Sequence, residues 1–129
     1  MKLKVVESKS FKFSKVSEWE PYEGATVAFP LTSEETEHMS VVMMKFDPGF
    51  SVEGTLSVEE IEYIKEGSFK YTCEGETFTA RKGDVVVLPK GAPVIFSTDT
   101  GGEFVAITYP HLKRKAVAKA RVLSSGKLR

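Results

Sequence analysis

Gly83-Asp84-Val85-Val86-Val87-Leu88-Pro89-Lys90-Gly91 reads as one short apolar strand held between two reversals. The glycines at 83 and 91 stand where the chain must turn and a Cβ would clash, and Pro89 ends a strand that needs no further backbone donor. Outward from this stretch the same rhythm recurs, with short apolar or alternating runs cut by Gly, Pro and Asp, which is an all-β pattern. The runs predict strands at Ser10–Ser14, Ala25–Leu31, Ser40–Phe46, Glu60–Lys65, Ser68–Glu74, Glu76–Ala80, Val85–Leu88, Val94–Ser97 and Phe104–Tyr109. So many short strands suit a sandwich or a barrel. Asp47-Pro48-Gly49 sets a tight turn, with Pro fixing φ and Gly taking positive φ, and Cys73-Glu74-Gly75-Glu76 makes a hairpin. Thr32–His38 is expected as a solvated loop, and helix only over Lys113–Leu123, where Ala, Lys and Arg supply the propensity.

A chain of 129 residues, 41% of them hydrophobic, supports one buried core and not two comfortable domains. No run approaches the roughly 18 apolar residues of a membrane span, and Met1-Lys2-Leu3-Lys4 has no apolar stretch behind it to act as a secretory signal. The expectation is a cytoplasmic protein without membrane contact. Cys73 is the only cysteine, so neither an intrachain disulfide nor a cysteine-rich zinc site can form within one chain.

Net charge is zero, yet the signs are unevenly placed. From His111 to Arg129 there are seven basic residues and no acidic one, which leaves 11 basic against 18 acidic residues in 1–110. Without aromatics for base stacking, this basic segment is read as a tail folding back on the acidic body or on a partner subunit, and not as a nucleic-acid contact. The organisation expected is an N-terminal arm and strand (1–24), a barrel (25–110) and a basic C-terminal tail (111–129).

A second glycine frame precedes the first: Pro48-Gly49 opens it, Glu60 stands within it and Gly67 closes it. Together the two frames resemble those of the cupins, in which a glycine, a His-x-His pair, a glutamate and a glycine are followed by a glycine, Pro-x-Gly, a third histidine and an asparagine. The resemblance implies a single-domain, all-β cupin: a double-stranded β-helix, or jelly-roll barrel. It also places Gly54, Leu56 and Val94 where the three metal-binding imidazoles would stand, and Thr98 in place of the asparagine. Transition metals in such barrels usually take three or four protein ligands. Neither a metal nor another cofactor is therefore expected, a metal site built on carboxylates being the least favoured alternative.

Within the cupins the chain resembles the ethanolamine-utilisation EutQ family and its stand-alone relatives. The shared residues are Thr55-Leu56, Glu60 with Tyr63, Glu66-Gly67, Glu74-Gly75-Glu76, Arg81-Lys82-Gly83-Asp84-Val85, Leu88-Pro89-Lys90-Gly91, Phe96 and the run Val105–Pro110. That family is similar in lacking the metal histidines. It implies work alongside bacterial metabolic microcompartments, either as an enzyme or as a non-catalytic binding or assembly module. Gly54 departs from the bulky aromatic expected of the family and implies a larger pocket.

Glu60 and Glu62 lie two residues apart and so share one face of a strand, roughly 7 Å apart, while Glu59, Ile61 and Tyr63 take the other. If the Glu60 face lines the barrel, like charge and burial raise at least one carboxyl pKa and supply an acid and a base without a metal. Proton abstraction beside a carbonyl, isomerisation or elimination would fit. The competing reading is an acidic strand that faces water. Glu60, Glu62 and Tyr63 are the candidate catalytic residues, and Thr55, Tyr71, Tyr109, Met44 and Thr98 the candidate contacts to a small-molecule ligand. His38 and His111 lie outside the motif positions, and Trp19 is expected to anchor the N-terminal segment across the barrel or a partner in a homodimer.

Overall fold

A computed structural model describes residues 3–15, 24–31, 36–110 and 117–125. Nine strands run through them: β1 (Ala25–Leu31), β2 (Ser40–Phe46), β3 (Phe50–Leu56), β4 (Glu59–Cys73), β5 (Glu76–Arg81), β6 (Val85–Leu88), β7 (Pro93–Ser97), β8 (Gly102–Tyr109) and β9 (Val117–Ser125). All pair antiparallel in one curled sheet. This is the jelly-roll architecture expected of a cupin.

The long strand β4 makes the sheet curl. Its first half lies between β8 and β6, in a layer ordered β1-β2-β8-β4-β6; its second half lies between β7 and β5, in a layer ordered β5-β4-β7-β3-β9. The two strands expected at Glu60–Lys65 and Ser68–Glu74 are thus one, passing from layer to layer at Gly67. Gly67 has φ +79° and sits opposite Gly102, and a Cβ on it would strike the Gly101 carbonyl. Only a residue without a side chain lets the strand turn this corner.

Three local expectations are corrected. Ser10–Ser14 is not a strand: Ser8–Ser10 forms a 3-10 turn, and only Ser14 bridges to Val27. Phe50–Leu56, unassigned because its apolar residues are diluted by Ser51, Glu53, Gly54 and Thr55, is strand β3, paired with β7 and β9. Residues 117–123, expected as helix, lie in β9, which pairs with β3 while Arg121 Nη2 reaches Glu53 Oε1 at 3.0 Å. In the sequence Lys119 and Arg121 alternate with Ala118, Ala120 and Val122, which is the period of a strand, and the open edge of β3 outweighs the helix propensity of Ala and Lys. The basic segment does meet the acidic body, but as a strand. Trp19 and His111 lie outside the described residues.

Even-numbered positions of β2, β3, β7 and β8 face inward. One end of the barrel is filled by aromatic rings: Phe46, Phe50, Phe69, Phe96 and Phe104 pack with centroid separations of 4.9–6.4 Å. Rings at these offsets add edge-to-face attraction to the burial of their area. Thr98 caps this end: its hydroxyl donates to the Ser68 carbonyl at 2.7 Å, and its backbone exchanges bonds with Gly49 and Phe50. The other end of the barrel is polar.

Candidate functional site

Across the first layer, inward-facing residues align in rows because antiparallel register places opposite residues on one face. One row reads Ser40, Thr108, Glu60, Leu88, and the next reads Val42, Ala106, Glu62, Val86. In β4 the alternation is strict: Glu60 and Glu62 are buried, whereas Glu59, Ile61 and Tyr63 are exposed. Two carboxyl groups therefore share the interior, Glu62 at only 3% exposure. Among the described residues the buried polar side chains in the hydroxyl and charged classes are Ser40, Glu60, Glu62, Thr98 and Thr108, and no lysine or arginine is buried.

Tyr71 completes the cluster from the second layer. Its hydroxyl donates to Glu62 Oε1 at 2.5 Å. Burial pushes both carboxyls above the usual carboxylate range. Glu62 rises well above it, because burial is reinforced by its hydrogen bond to Glu60 and by the Glu60 charge, against a smaller opposing effect of the Tyr71 hydroxyl. On Glu60 the bond from Glu62 opposes burial. Both carboxyls are thus raised, and two such groups in one low-dielectric space favour holding a proton between them. Tyr71 is likewise shifted upward, by burial and then by the Glu62 charge, and stays a donor.

Thr108 stands across from Glu60 in the β4–β8 register and is 1% exposed, and its Oγ1 has no hydrogen-bond partner. A buried hydroxyl left unpaired costs about 1–3 kcal/mol. Ser40 and Thr108 were not among the sequence candidates. Only the cross-strand register brings them to Glu60, and neither lies in a motif.

A groove of about 570 Å³ opens between β5 and β6, where the two layers part. Tyr71, Ala80, Val86, Leu88 and Val94 line it, and Glu74, Glu76 and Asp84 are also among its lining residues, with no lysine or arginine. Tyr71 faces this groove and binds Glu62, so one phenol connects the opening to the buried pair.

The other candidates lie elsewhere. Tyr63 is half exposed on the outer face of β4, one residue out of phase with the glutamates. Thr55 follows the same rule in β3: it shares a face with Glu53 while Gly54 and Leu56 point inward. Tyr109 is exposed on the outer side of β8, its ring 6.3 Å from that of the exposed His38. Thr98 is inward-facing, but its hydroxyl is committed to Ser68 at the aromatic end. Met44 packs against the core as barrel wall.

Gly54, Leu56 and Val94 face the interior with no donor atom to offer a metal. Among the described residues no group of three or more His, Cys, Asp or Glu side chains is placed to hold one. The residues present do not fit a cupin metal centre.

The family model for the ethanolamine utilisation protein EutQ matches residues 1–113. This chain belongs to the EutQ family. It is 33% identical over 109 residues to the Salmonella typhimurium protein named acetate kinase EutQ, covering 84% of this chain and 46% of that protein. An Escherichia coli protein of the same name is 30% identical over the same length. The chain thus spans about half the length of the curated relatives it matches. The crystal structure of a Salmonella typhimurium ethanolamine utilization protein Q superposes with a TM-score of 0.76 at 31% identity, covering 85% of this chain and 88% of that one. An RmlC-like cupin from Shewanella frigidimarina, 16% identical, superposes at 0.70 over 83% of this chain and 90% of its own, which establishes the cupin fold. As a EutQ-family cupin, the chain combines a shared fold with an interior that holds two carboxyls and has Gly54, Leu56 and Val94 at the imidazole positions.

Proposed function

We propose that this EutQ-family cupin binds a small polar metabolite at the polar end of its barrel and works on it by acid–base chemistry without a metal, through Glu60 and Glu62 with Tyr71 as the proton-conducting contact to the groove. The observation that carries this reading is the buried Glu60–Glu62–Tyr71 cluster, one hydrogen bond behind an open groove. A proton held between two carboxyls at raised pKa supplies an acid and a base at once, as isomerisation or elimination requires. Tyr71, on the inner side, is proposed for the role expected of Tyr63, which stands on the outer face of β4.

The protein is proposed to act in the cytoplasm as a homodimer. Among the described residues no helix is long and apolar enough to cross a membrane. Ile61, Tyr63, Val85 and Val87 form an exposed apolar strip on the outer face of β4 and β6, suited to pairing with a second copy. Light scattering that reports a monomer at micromolar concentration would count against the dimer.

The test of function is a crystal soaked with a panel of small acids, aldehydes and amines, followed by Glu60→Gln in the assay that a hit suggests. Unchanged turnover in that variant removes Glu60 from the mechanism. A second reading follows from the relatives named acetate kinase: the barrel contributes to phosphoryl transfer from ATP to acetate, as an enzyme or as a module serving one. Acetyl phosphate formed by the purified chain, and lost with Glu60→Gln, would favour it over the first.

A further inference from the structure

We propose that the polar end of the barrel is a site for the primary ammonium group of a small amine, held by Glu60, Glu62 and Thr108 and reached through the groove between β5 and β6. The inference deepens the metabolite-binding reading by naming the ligand class, and it rests on that reading.

Four observations carry it. The buried pair is acidic, and none of the ion pairs formed among the described residues involves Glu60 or Glu62. The groove lined by Tyr71, the partner of Glu62, and by Val86 and Leu88, the cross-strand neighbours of Glu62 and Glu60, also carries Glu74, Glu76 and Asp84 and no basic residue. Such a path attracts cations and repels anions. Thr108 Oγ1, in the row of Glu60, is an inward-facing buried hydroxyl without a partner. The Tyr71 hydroxyl, a donor in the cluster, is already given to Glu62.

Once its shared proton has left, the pair is rich in acceptors. An ammonium group is the complement: a compact positive charge with three N–H donors and no acceptor, matching Glu60, Glu62 and Thr108. A carboxylate or phosphate would bring only acceptors and negative charge. On binding, the proton shared by the pair leaves to solvent and the ligand's charge takes its place.

Calorimetric titration of the full chain near neutral pH with methylammonium, tetramethylammonium and acetamide tests the assignment. Saturable binding of methylammonium is expected, with no binding of tetramethylammonium, which has the charge without N–H donors, or of acetamide, which is neutral. Glu60→Gln and Thr108→Val are each expected to weaken methylammonium at least about tenfold. Thr108→Val is nearly isosteric and removes an unpaired hydroxyl, so it should melt no lower than the parent. If Glu60→Gln fails to fold, Thr108→Val alone decides. Equal binding of tetramethylammonium, undiminished binding by Thr108→Val, or no binding of methylammonium overturns the ammonium site. If acetamide or acetate binds instead, the inference fails while the small-molecule reading stands; if the soaking panel is also empty, both fail.

Discussion

The Tyr71 hydroxyl and the Glu62 carboxylate, nine residues apart on one strand, meet at 2.5 Å across the inside of the barrel. A straight strand would hold them roughly 30 Å apart. They meet because β4 turns at Gly67 and contributes its first half to one layer and its second half to the other. The acid–base cluster is thus built chiefly by a single strand folded around its corner.

That corner is the most exposed point of the design to substitution. Gly67→Ala would hold a Cβ at φ +79° against the Gly101 carbonyl, and is expected to cost more than about 3 kcal/mol in urea unfolding. Gly75→Ala has the same sign of φ but open space around the new methyl, and should cost only about 1 kcal/mol. Equal costs would show that backbone strain, and not close approach, governs Gly67.

The pH dependence of stability should carry the signature of the glutamate pair. Both carboxyls are raised in the folded protein, so between the ordinary carboxylate pKa and the raised values the folded state binds more protons than the unfolded chain. Their contribution is whole at acid pH and is lost as pH rises, by about 1.4 kcal/mol per pH unit for each excess proton. Glu62→Gln removes the Glu62 share of this dependence. The variant should gain on the parent as pH rises from mildly acidic to mildly alkaline, and parallel melting curves across that range would refute the shared proton.

Tyr71→Phe keeps the ring in its packing against Phe96 and deletes only the donor to Glu62. A loss of about 1–3 kcal/mol is expected, because a buried acceptor is left behind. The double variant with Glu62→Gln should cost less than the sum of the two single changes, a coupling that a double-mutant cycle measures.

At the opposite end of the barrel, Phe69 is fully buried against the rings of Phe46, Phe96 and Phe104. Phe69→Ala should cost about 3–5 kcal/mol by leaving a cavity. Glu62→Gln should show the same pH-dependent gain in that background, since the aromatic and polar ends occupy separate rows.

Removal of residues 117–129 would strip β9 from β3, exposing Val52 and a row of unpaired backbone groups while losing the packing of Val122. The shortened chain should unfold at lower denaturant and self-associate, as an uncovered edge strand promotes. Arg121→Ala, which breaks only an exposed ion pair with Glu53, should cost less than about 1 kcal/mol.

The sequence by itself determined the barrel: glycine and proline at 49, 67, 83, 89 and 91 fix where strands reverse, and strand periodicity alone sets Glu60 and Glu62 on one face and Tyr63 on the other. Those are local properties, governed by φ and by the alternation of side chains. What lies opposite what was decided by tertiary structure. Thr108 reaches Glu60 through strand register, Tyr71 reaches Glu62 through the corner in β4, and β9 is a strand because β3 offers it an edge. Hydrogen bonding between segments far apart in the chain leaves no periodic trace in either segment, so the partners of the carboxyls emerge only when the sheet closes.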